Sequence, residues 1–173
     1  MIDFEIEQVF TPLKEERMKT ANEAILQELR ETTEEKGFDG RGTVIAVLDS
    51  GVDIKHKDLS ADIESPKLTA DKVKEKKLKG KYYNAKIPYA YNYADGDHDI
   101  KDTNVKLAGY GHGMHVIGII GANGPANDKS RVRGVAPQAQ IASMKIFYNN
   151  TRKVEGAPEG AVISAIEDAV SLG

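Results

Sequence analysis

The sequence predicts an α/β protein with a doubly wound, mostly parallel sheet. Its segments follow the order helix, strand, long loop, helix, strand, helix, and such alternation is typical of parallel sheets with helices on both faces. Residues 43–48 form a continuous β-branched and apolar run bounded by glycines, which indicates a strand buried on both faces. The chain has 173 residues, of which 40% are hydrophobic and 29% charged, so it can bury a substantial core.

The first element is a predicted helix over residues 11–36. Thr11 suits the N-cap position and Pro12 the first helical position, while Gly37 suits a helix stop. An apolar stripe at helical spacing consists of Leu13, Met18, Ala21, Ile25 and Leu29. We interpret residues 1–39 as a helical lead-in segment and residues 40–173 as the segment that holds the sheet.

The middle of the chain contains two segments of unusual composition. Residues 71–81 are rich in lysine and are predicted to form a solvated linker, since a net charge of −3 argues against a nucleic-acid surface. Residues 82–95 hold five of the seven tyrosines and have strand propensity. Further on, residues 134–137 predict a turn, residues 141–147 a strand, and residues 162–170 a helix with apolar side chains at helical spacing.

The acidic segment DGDHDIKD (residues 95–102) raises the question of calcium. Asp95, Asp97 and Asp99 match the first three ligand positions of an EF-hand loop, but Ile100 and Lys106 replace its glycine and final glutamate. The EF-hand pattern therefore fails. A looser structural calcium site stays open, at a position that the sequence does not identify.

Two of the four histidines, His112 and His115, stand three residues apart in GYGHGMHVIGIIGAN (residues 109–123). A zinc-protease helix needs them four apart with a glutamate between, so the spacing disfavours catalytic metal. His112 opens an apolar stretch and is predicted at a helix N-terminus, where the helix dipole favours the neutral imidazole that accepts protons. Asp49 ends a buried strand, where α/β sheets place site residues. An Asp49–His112 pair for base catalysis and two unrelated structural residues both remain open at this point.

Some classes of function are excluded by composition. The chain has no cysteine, which removes disulfides, thiolate nucleophiles and Cys-based zinc sites. Its apolar runs are too short for a membrane span, and acidic residues near the N-terminus predict no export signal in this chain. No phosphate-binding glycine motif follows a strand, so a nucleotide-binding domain is disfavoured.

Three motifs in order resemble the subtilisin-like serine proteases, or subtilases. VLDSGVDIKHKDL (residues 47–59) is similar to the aspartate motif of that family, GHGMHV (residues 111–116) to its histidine motif, and GVAP (residues 134–137) to a following turn. Met114 stands where most subtilases have threonine. Together with YYNAKIPYAYNYAD upstream and GIIGANG downstream, it resembles the lactocepin-type cell-envelope proteinases of lactic acid bacteria and streptococci. The resemblance implies His112 as general base, Asp49 as its orienting partner, and His115 as a packed helix residue.

The same resemblance implies a hydrolase, a serine endopeptidase acting on protein or peptide substrates outside the cell or at the cell wall. The family's nucleophilic serine lies in a GTSMA-like motif and its oxyanion hole uses an asparagine, and neither motif is in this sequence. We therefore expect residues 40–173 to be the N-terminal part of a peptidase domain, with a sheet incomplete at its C-terminal side and its last strand at an unpaired edge.

The expected partner is the missing C-terminal half of that domain. No cofactor is required for catalysis, and the chain alone is expected to be inactive. The alternative is an inactive remnant that binds.

Overall fold

The computed structural model describes residues 24, 25, 28, 35–101, 111–125, 127, 128, 130–149 and 156–173. Contacts between Cα atoms divide the chain into two units, Met1–Gly37 and Phe38–Gly173. The helix predicted over residues 11–36 lies outside the described residues, except at residues 24, 25, 28 and 35, which are helical. The strands and helices named below all belong to the second unit.

The described part of the second unit contains strands and helices in alternation. They are β1 (Val44–Asp49), α1 (Ala70–Lys76), β2 (Tyr89–Asn92), α2 (His112–Gly121), β3 (Gln140–Lys145) and α3 (Glu159–Leu172). The strands predicted at residues 43–48 and 141–147 are confirmed, with small shifts at their ends. The helix predicted to begin at His112 and the one predicted over residues 162–170 are confirmed as well.

The prediction of a solvated loop over residues 71–81 is wrong for its first half, which forms α1. The hydroxyl of Thr69 caps this helix by accepting the backbone N–H of Lys72. Val73 is the one buried side chain, and Lys77 ends the helix with a left-handed φ of 53°. A cap and basic residues in the last turn therefore stabilise a helix that has no apolar stripe.

All strand pairs are parallel, and the order in the sheet is β1-β3-β2. Every residue of β3 is buried, because β3 has a neighbour on each side and a core on each face. The expectation that the last strand lies at an unpaired edge is wrong, since β3 is central. Within the described residues, the edges of the sheet belong to β1 and β2.

Each face of the sheet has its own hydrophobic core. Ile141 of β3 packs with Val47 and with Ile117 of α2 on one face. Ala142 and Met144 face the opposite side, in a core shared with α1 and α3. This alternation along β3 confirms the doubly wound α/β class, with helices on both faces. Among the described residues, no helix combines the length and the apolar character that crossing a membrane requires.

Candidate active site

The carboxyl end of β1 and the N-terminus of α2 bring Asp49 and His112 together. Val47 joins the core beneath α2, and the two-residue period of the strand places Asp49 on that same face. His112 is the first residue of α2. Its Nδ1 lies 2.7 Å from Oδ1 of Asp49. A carboxylate only accepts hydrogen bonds, so it holds the proton of the neutral ring on Nδ1 and leaves Nε2 as the proton acceptor.

The two side chains differ in their access to solvent. The Asp49 side chain is 13% exposed, whereas that of His112 is 55% exposed. The carboxylate is thus sheltered under the imidazole ring, and the ring itself is open to an incoming molecule. A base that exchanges protons with a substrate needs this kind of access.

Ser50 fixes both members of the pair. Its backbone N–H donates to Oδ1 of Asp49 at 2.7 Å and its hydroxyl donates to the same oxygen at 3.1 Å. Its Oγ also accepts the N–H of Gly113 at 2.9 Å, one of the first-turn amides that have no acceptor inside the helix. Ser50 therefore orients the carboxylate and caps the helix that carries His112. The sequence did not reveal this role, although a serine directly after the aspartate is the available signal.

Gly113 allows α2 to approach the turn after β1. A Cβ atom added at Gly113 would lie 2.4 Å from the carbonyl oxygen of Gly51 and 2.9 Å from its nitrogen. Gly111, the N-cap residue, has a φ of 92°, which glycine adopts without strain. Gly113 therefore permits the close approach of α2 to the turn after β1.

Lys145 lies beneath the same turn. It is the register partner of Asp49 in the β1–β3 pair, and it is completely buried. Its Nζ donates to the carbonyl oxygen of Ser50 and, at 2.8 Å, to that of Lys101. These carbonyl oxygens satisfy a buried donor that would otherwise be costly, so Lys145 ties β3 to the turn that follows Asp49. The signal in the sequence was a lysine in the mostly apolar run of residues 141–147.

The second histidine of the motif does not share the site. His115 is exposed on α2, so the expectation that it packs against the core is wrong. Met114, the residue before His115, connects α2 to the loop after β1. Its Sδ lies 3.0 Å from the backbone nitrogen of Asp53 and accepts that N–H. Met114 and Gly111 line one side of a cleft of about 660 Å³ next to His112. The cleft also contains apolar and charged side chains, among them Ile54, Tyr83, His98, Asp99 and Ile100.

The end of the aspartate motif is anchored by Asp58, whose side chain is 2% exposed. Its carboxylate binds the guanidinium of Arg131 and lies 3.3 Å from Nζ of Lys57. Burial alone would raise the pKa of Asp58, but hydrogen bonds from Arg131, the backbone of Val132 and Lys57 hold it below its usual value. Asp58 thereby links the loop after β1 to the segment that precedes β3.

The acidic segment after β2 is organised by amide side chains. Nδ2 of Asn92, a buried residue, donates to Asp95 at 3.0 Å and to Asp97 at 3.1 Å. Asn149 donates from its backbone to Asp95 and from its side chain to Asp99, both at 3.0 Å. Within the described part of the chain, no group of three or more His, Cys, Asp or Glu residues is arranged to hold a metal ion. A structural calcium ion stays a prediction that these contacts do not test.

Most of this chain matches a single known protein family. Residues 40–171 match the model of the subtilase family. The chain is 42% identical over 142 residues to the PII-type proteinase of Lactococcus lactis subsp. cremoris, and the match covers 79% of this chain. It is 41% identical over 142 residues to the PII-type proteinase of Lacticaseibacillus paracasei, again over 79% of this chain.

A second group of relatives is more distant. The chain is 31% identical over 153 residues to the C5a peptidase of Streptococcus pyogenes serotype M3, covering 82% of this chain. All of these relatives are much longer than the matched region. The match spans 7% of the length of each PII-type proteinase and 12% of the C5a peptidase.

Proposed function

The chain belongs to the subtilase family, and on that premise we propose that it supplies the general base and the orienting aspartate of a serine endopeptidase. The observation that carries the proposal is the 2.7 Å contact between Nδ1 of His112 and Oδ1 of Asp49. The exposure of the His112 ring supports it. The similarity to proteinases and to a peptidase gives independent support.

In this proposal the reaction is hydrolysis of a peptide bond in a protein substrate. A serine hydroxyl from sequence that this chain does not contain attacks the carbonyl carbon, and its proton passes to Nε2 of His112. Asp49 stabilises the resulting imidazolium and keeps the ring oriented. His112 then gives the proton to the leaving amine, and water completes the cycle through the same base. No step requires a cofactor.

The nucleophilic serine and the oxyanion asparagine of the family have no counterpart motif in these 173 residues. We propose that the chain alone is inactive and that residues 40–173 form the first part of a peptidase domain, preceded by the lead-in segment 1–39. By resemblance to the lactocepin-type proteinases, the complete protein would act outside the cell or at the cell wall.

Two surfaces support association with further polypeptide of the same domain. Along α3, the side chains of Ile163, Ile166 and Val170 are 58%, 50% and 75% exposed. Within the described residues, β1 pairs only with β3, so one row of its backbone groups has no strand opposite it. We propose that the remainder of the peptidase domain covers both surfaces. The alternative of a non-catalytic binding remnant uses the same surfaces and differs in lacking turnover.

The test compares the two histidines of the motif in the complete protein that contains this chain. His112→Ala is expected to abolish peptide hydrolysis, with a decrease in kcat on the order of 10⁶-fold. Asp49→Asn is expected to decrease kcat on the order of 10⁴-fold. Both magnitudes come from subtilisin itself and not from this structure. His115→Ala is the matched control, because His115 is exposed on the same helix, and it should leave kcat within about twofold.

Two results would contradict the proposal. One is full turnover in a folded His112→Ala protein, with folding checked by far-UV circular dichroism. The other is reaction of the isolated 173-residue chain with a fluorophosphonate probe together with casein cleavage, which would show that it holds its own nucleophile. A complete protein that folds but never turns over substrate would favour the binding remnant.

A further inference from the structure

One side of the molecule carries a dense group of lysines that the proposed reaction does not use. Residues 67–81 contain seven lysines and only two acidic residues, although the whole chain has a net charge of −3. We call these lysines the lysine surface. Its members are Lys67, Lys72, Lys74, Lys76, Lys77, Lys79 and Lys81. They lie on α1 and on the segments directly before and after it.

The positive charge of this surface is not neutralised locally. All seven lysines are exposed. In the described part of the chain, the ion pairs within 4.0 Å involve other cations, and none joins a member of the lysine surface to an Asp or Glu side chain. Nζ of Lys67 donates to the oxygen of Gly173 at 2.6 Å. The two acidic residues of this segment, Asp71 and Glu75, make no ion pair with these lysines.

Several of the ammonium groups are held in place by neutral partners. Nζ of Lys72 donates to the carbonyl oxygen of Lys67 at 2.8 Å, and Nζ of Lys76 donates to that of Ser171 at 2.8 Å. Lys79 lies 5.7 Å from the ring centroid of Tyr93, and Lys81 lies over the ring of Tyr83 in the same way. These contacts restrict the side chains while leaving their full charge available to a ligand.

The chemistry of the surface favours one class of anion. Residues 67–81 contain no arginine, so the bidentate fork that matches both carboxylates and phosphates is absent, and the lysines act as point charges that can bind phosphate groups of variable spacing. Base stacking would need exposed rings, but Tyr89 is buried, the half-buried Tyr82 packs against the core, and the ring of Tyr83 is occupied by Lys81. Insertion into a membrane would need an apolar face, and the apolar side chain of α1, Val73, is buried.

We propose that the lysine surface binds a flexible polymer of phosphate groups that carries no nucleobases. Most of the lysine surface lies away from the Asp49–His112 pair, because α1 covers the face of the sheet opposite to α2. Lys81 is the exception, since it lies over Tyr83, which lines the cleft next to His112. The proposal uses no contact of the Asp49–His112 pair, so either proposal can fail without the other. A peptidase with this surface would be retained near a phosphate-rich polymer while its catalytic face remained open.

The test measures binding of long-chain inorganic polyphosphate to the 173-residue chain by isothermal titration calorimetry in 50 mM and 200 mM NaCl. The test variant removes three charges of the lysine surface, as Lys74→Gln, Lys77→Gln and Lys79→Gln. The matched control removes three charges from exposed lysines elsewhere, as Lys36→Gln, Lys55→Gln and Lys101→Gln. Both variants carry the same net charge, and circular dichroism with a thermal melt confirms that each is folded.

The wild-type chain should bind polyphosphate and lose affinity as salt rises, because bound counterions are released. The test variant should bind on the order of 100-fold more weakly, at about fivefold for each of the three lysines. Its plot of log affinity against log salt should be shallower by about 2, whereas the control should stay within about twofold of the wild type.

Each other result overturns the inference. No binding by a folded wild-type chain would show that the charge is only a solvated face. Equal losses in test variant and control would show that net charge, and not this surface, governs binding. Tighter binding of poly-L-glutamate, single-stranded DNA or phosphatidylglycerol vesicles than of polyphosphate, at equal charge concentration, would assign the surface to an acidic peptide, a nucleic acid or a membrane instead.

Discussion

Lys86 should make the stability of this protein rise with pH above neutrality. The side chain is completely buried, and its Nζ donates to the carbonyl oxygens of Pro137 and Ala139 at 2.9 and 2.7 Å. Burial, with a smaller contribution from the charge of Arg133, lowers the pKa of Lys86 from 10.5 to about 7. A neutral amine has two protons to donate, which matches the two carbonyl acceptors.

The direction of the effect follows from proton binding in the two states. Between pH 7 and pH 10.5 the unfolded chain keeps the Lys86 proton while the folded chain loses it, so the free energy of unfolding increases with pH. With a folded pKa of about 7, the increase between pH 7 and pH 9 is about 2 kcal/mol. The stability comparison stops at pH 9 because a second group acts at higher pH. Burial raises the pKa of Tyr89 to about 12, so above pH 10 the unfolded chain loses this proton before the folded chain does and the free energy of unfolding falls.

The assay is urea denaturation followed by far-UV circular dichroism at pH 7, 8 and 9, on this chain or on the complete domain that contains it. Lys86→Met should be less stable at every pH, since it leaves two carbonyls without a donor, and it should lose the upward slope. Lys74→Met, at an exposed position, is the control and should keep the slope. A wild-type change below about 0.5 kcal/mol, or an equal slope in Lys86→Met, would refute the reasoning.

Two further predictions concern the packing around the site. Gly113→Ala should destabilise the protein by about 2 kcal/mol, because the new Cβ would meet Gly51. Gly118→Ala on the same helix is the control, because a Cβ there meets nothing within 4 Å, and it should stabilise the protein by about 0.5–1 kcal/mol. Thermal melts of both variants measure the two effects. Equal shifts of the melting temperature would contradict the close approach at Gly113. Asp58→Asn should cost about 3 kcal/mol at pH 7. Because its folded pKa is lowered, the wild type loses that stability as pH falls below about 4. In urea titrations the stability gap between the two proteins should therefore be smaller at pH 3 than at pH 7, and a constant gap would argue against a charged Asp58.

Much of the local structure could be predicted from periodicity alone. The apolar run at residues 43–48 and the apolar stretch after His112 specify a strand and a helix through nearest-neighbour patterns, and both form. The helix at Ala70–Lys76 could not be predicted in this way. Its stability comes from a cap at Thr69 and from Val73 reaching a core built by distant residues, while its own composition indicates a loop.

The candidate site likewise contains residues that the sequence predicted and residues that it did not. Asp49 and His112 were identified from two motifs, and the structure brings them to 2.7 Å. Ser50 and Lys145 were not identified, because their contacts join segments far apart in the chain. The family resemblance implied that His115 packs within the helix, but its side chain is exposed.

The sequence by itself determined the family, the order of most of the elements and the aspartate–histidine pair, since these depend on motifs and on spacing along the chain. The tertiary structure alone decided that β3 is the central strand, that Lys145 supports the turn after Asp49, and that the lysines around α1 form one unneutralised surface. The physical reason is that strand order and surface charge depend on which distant segments pair. The free energy of that pairing comes from burial shared across the fold, which no local pattern encodes.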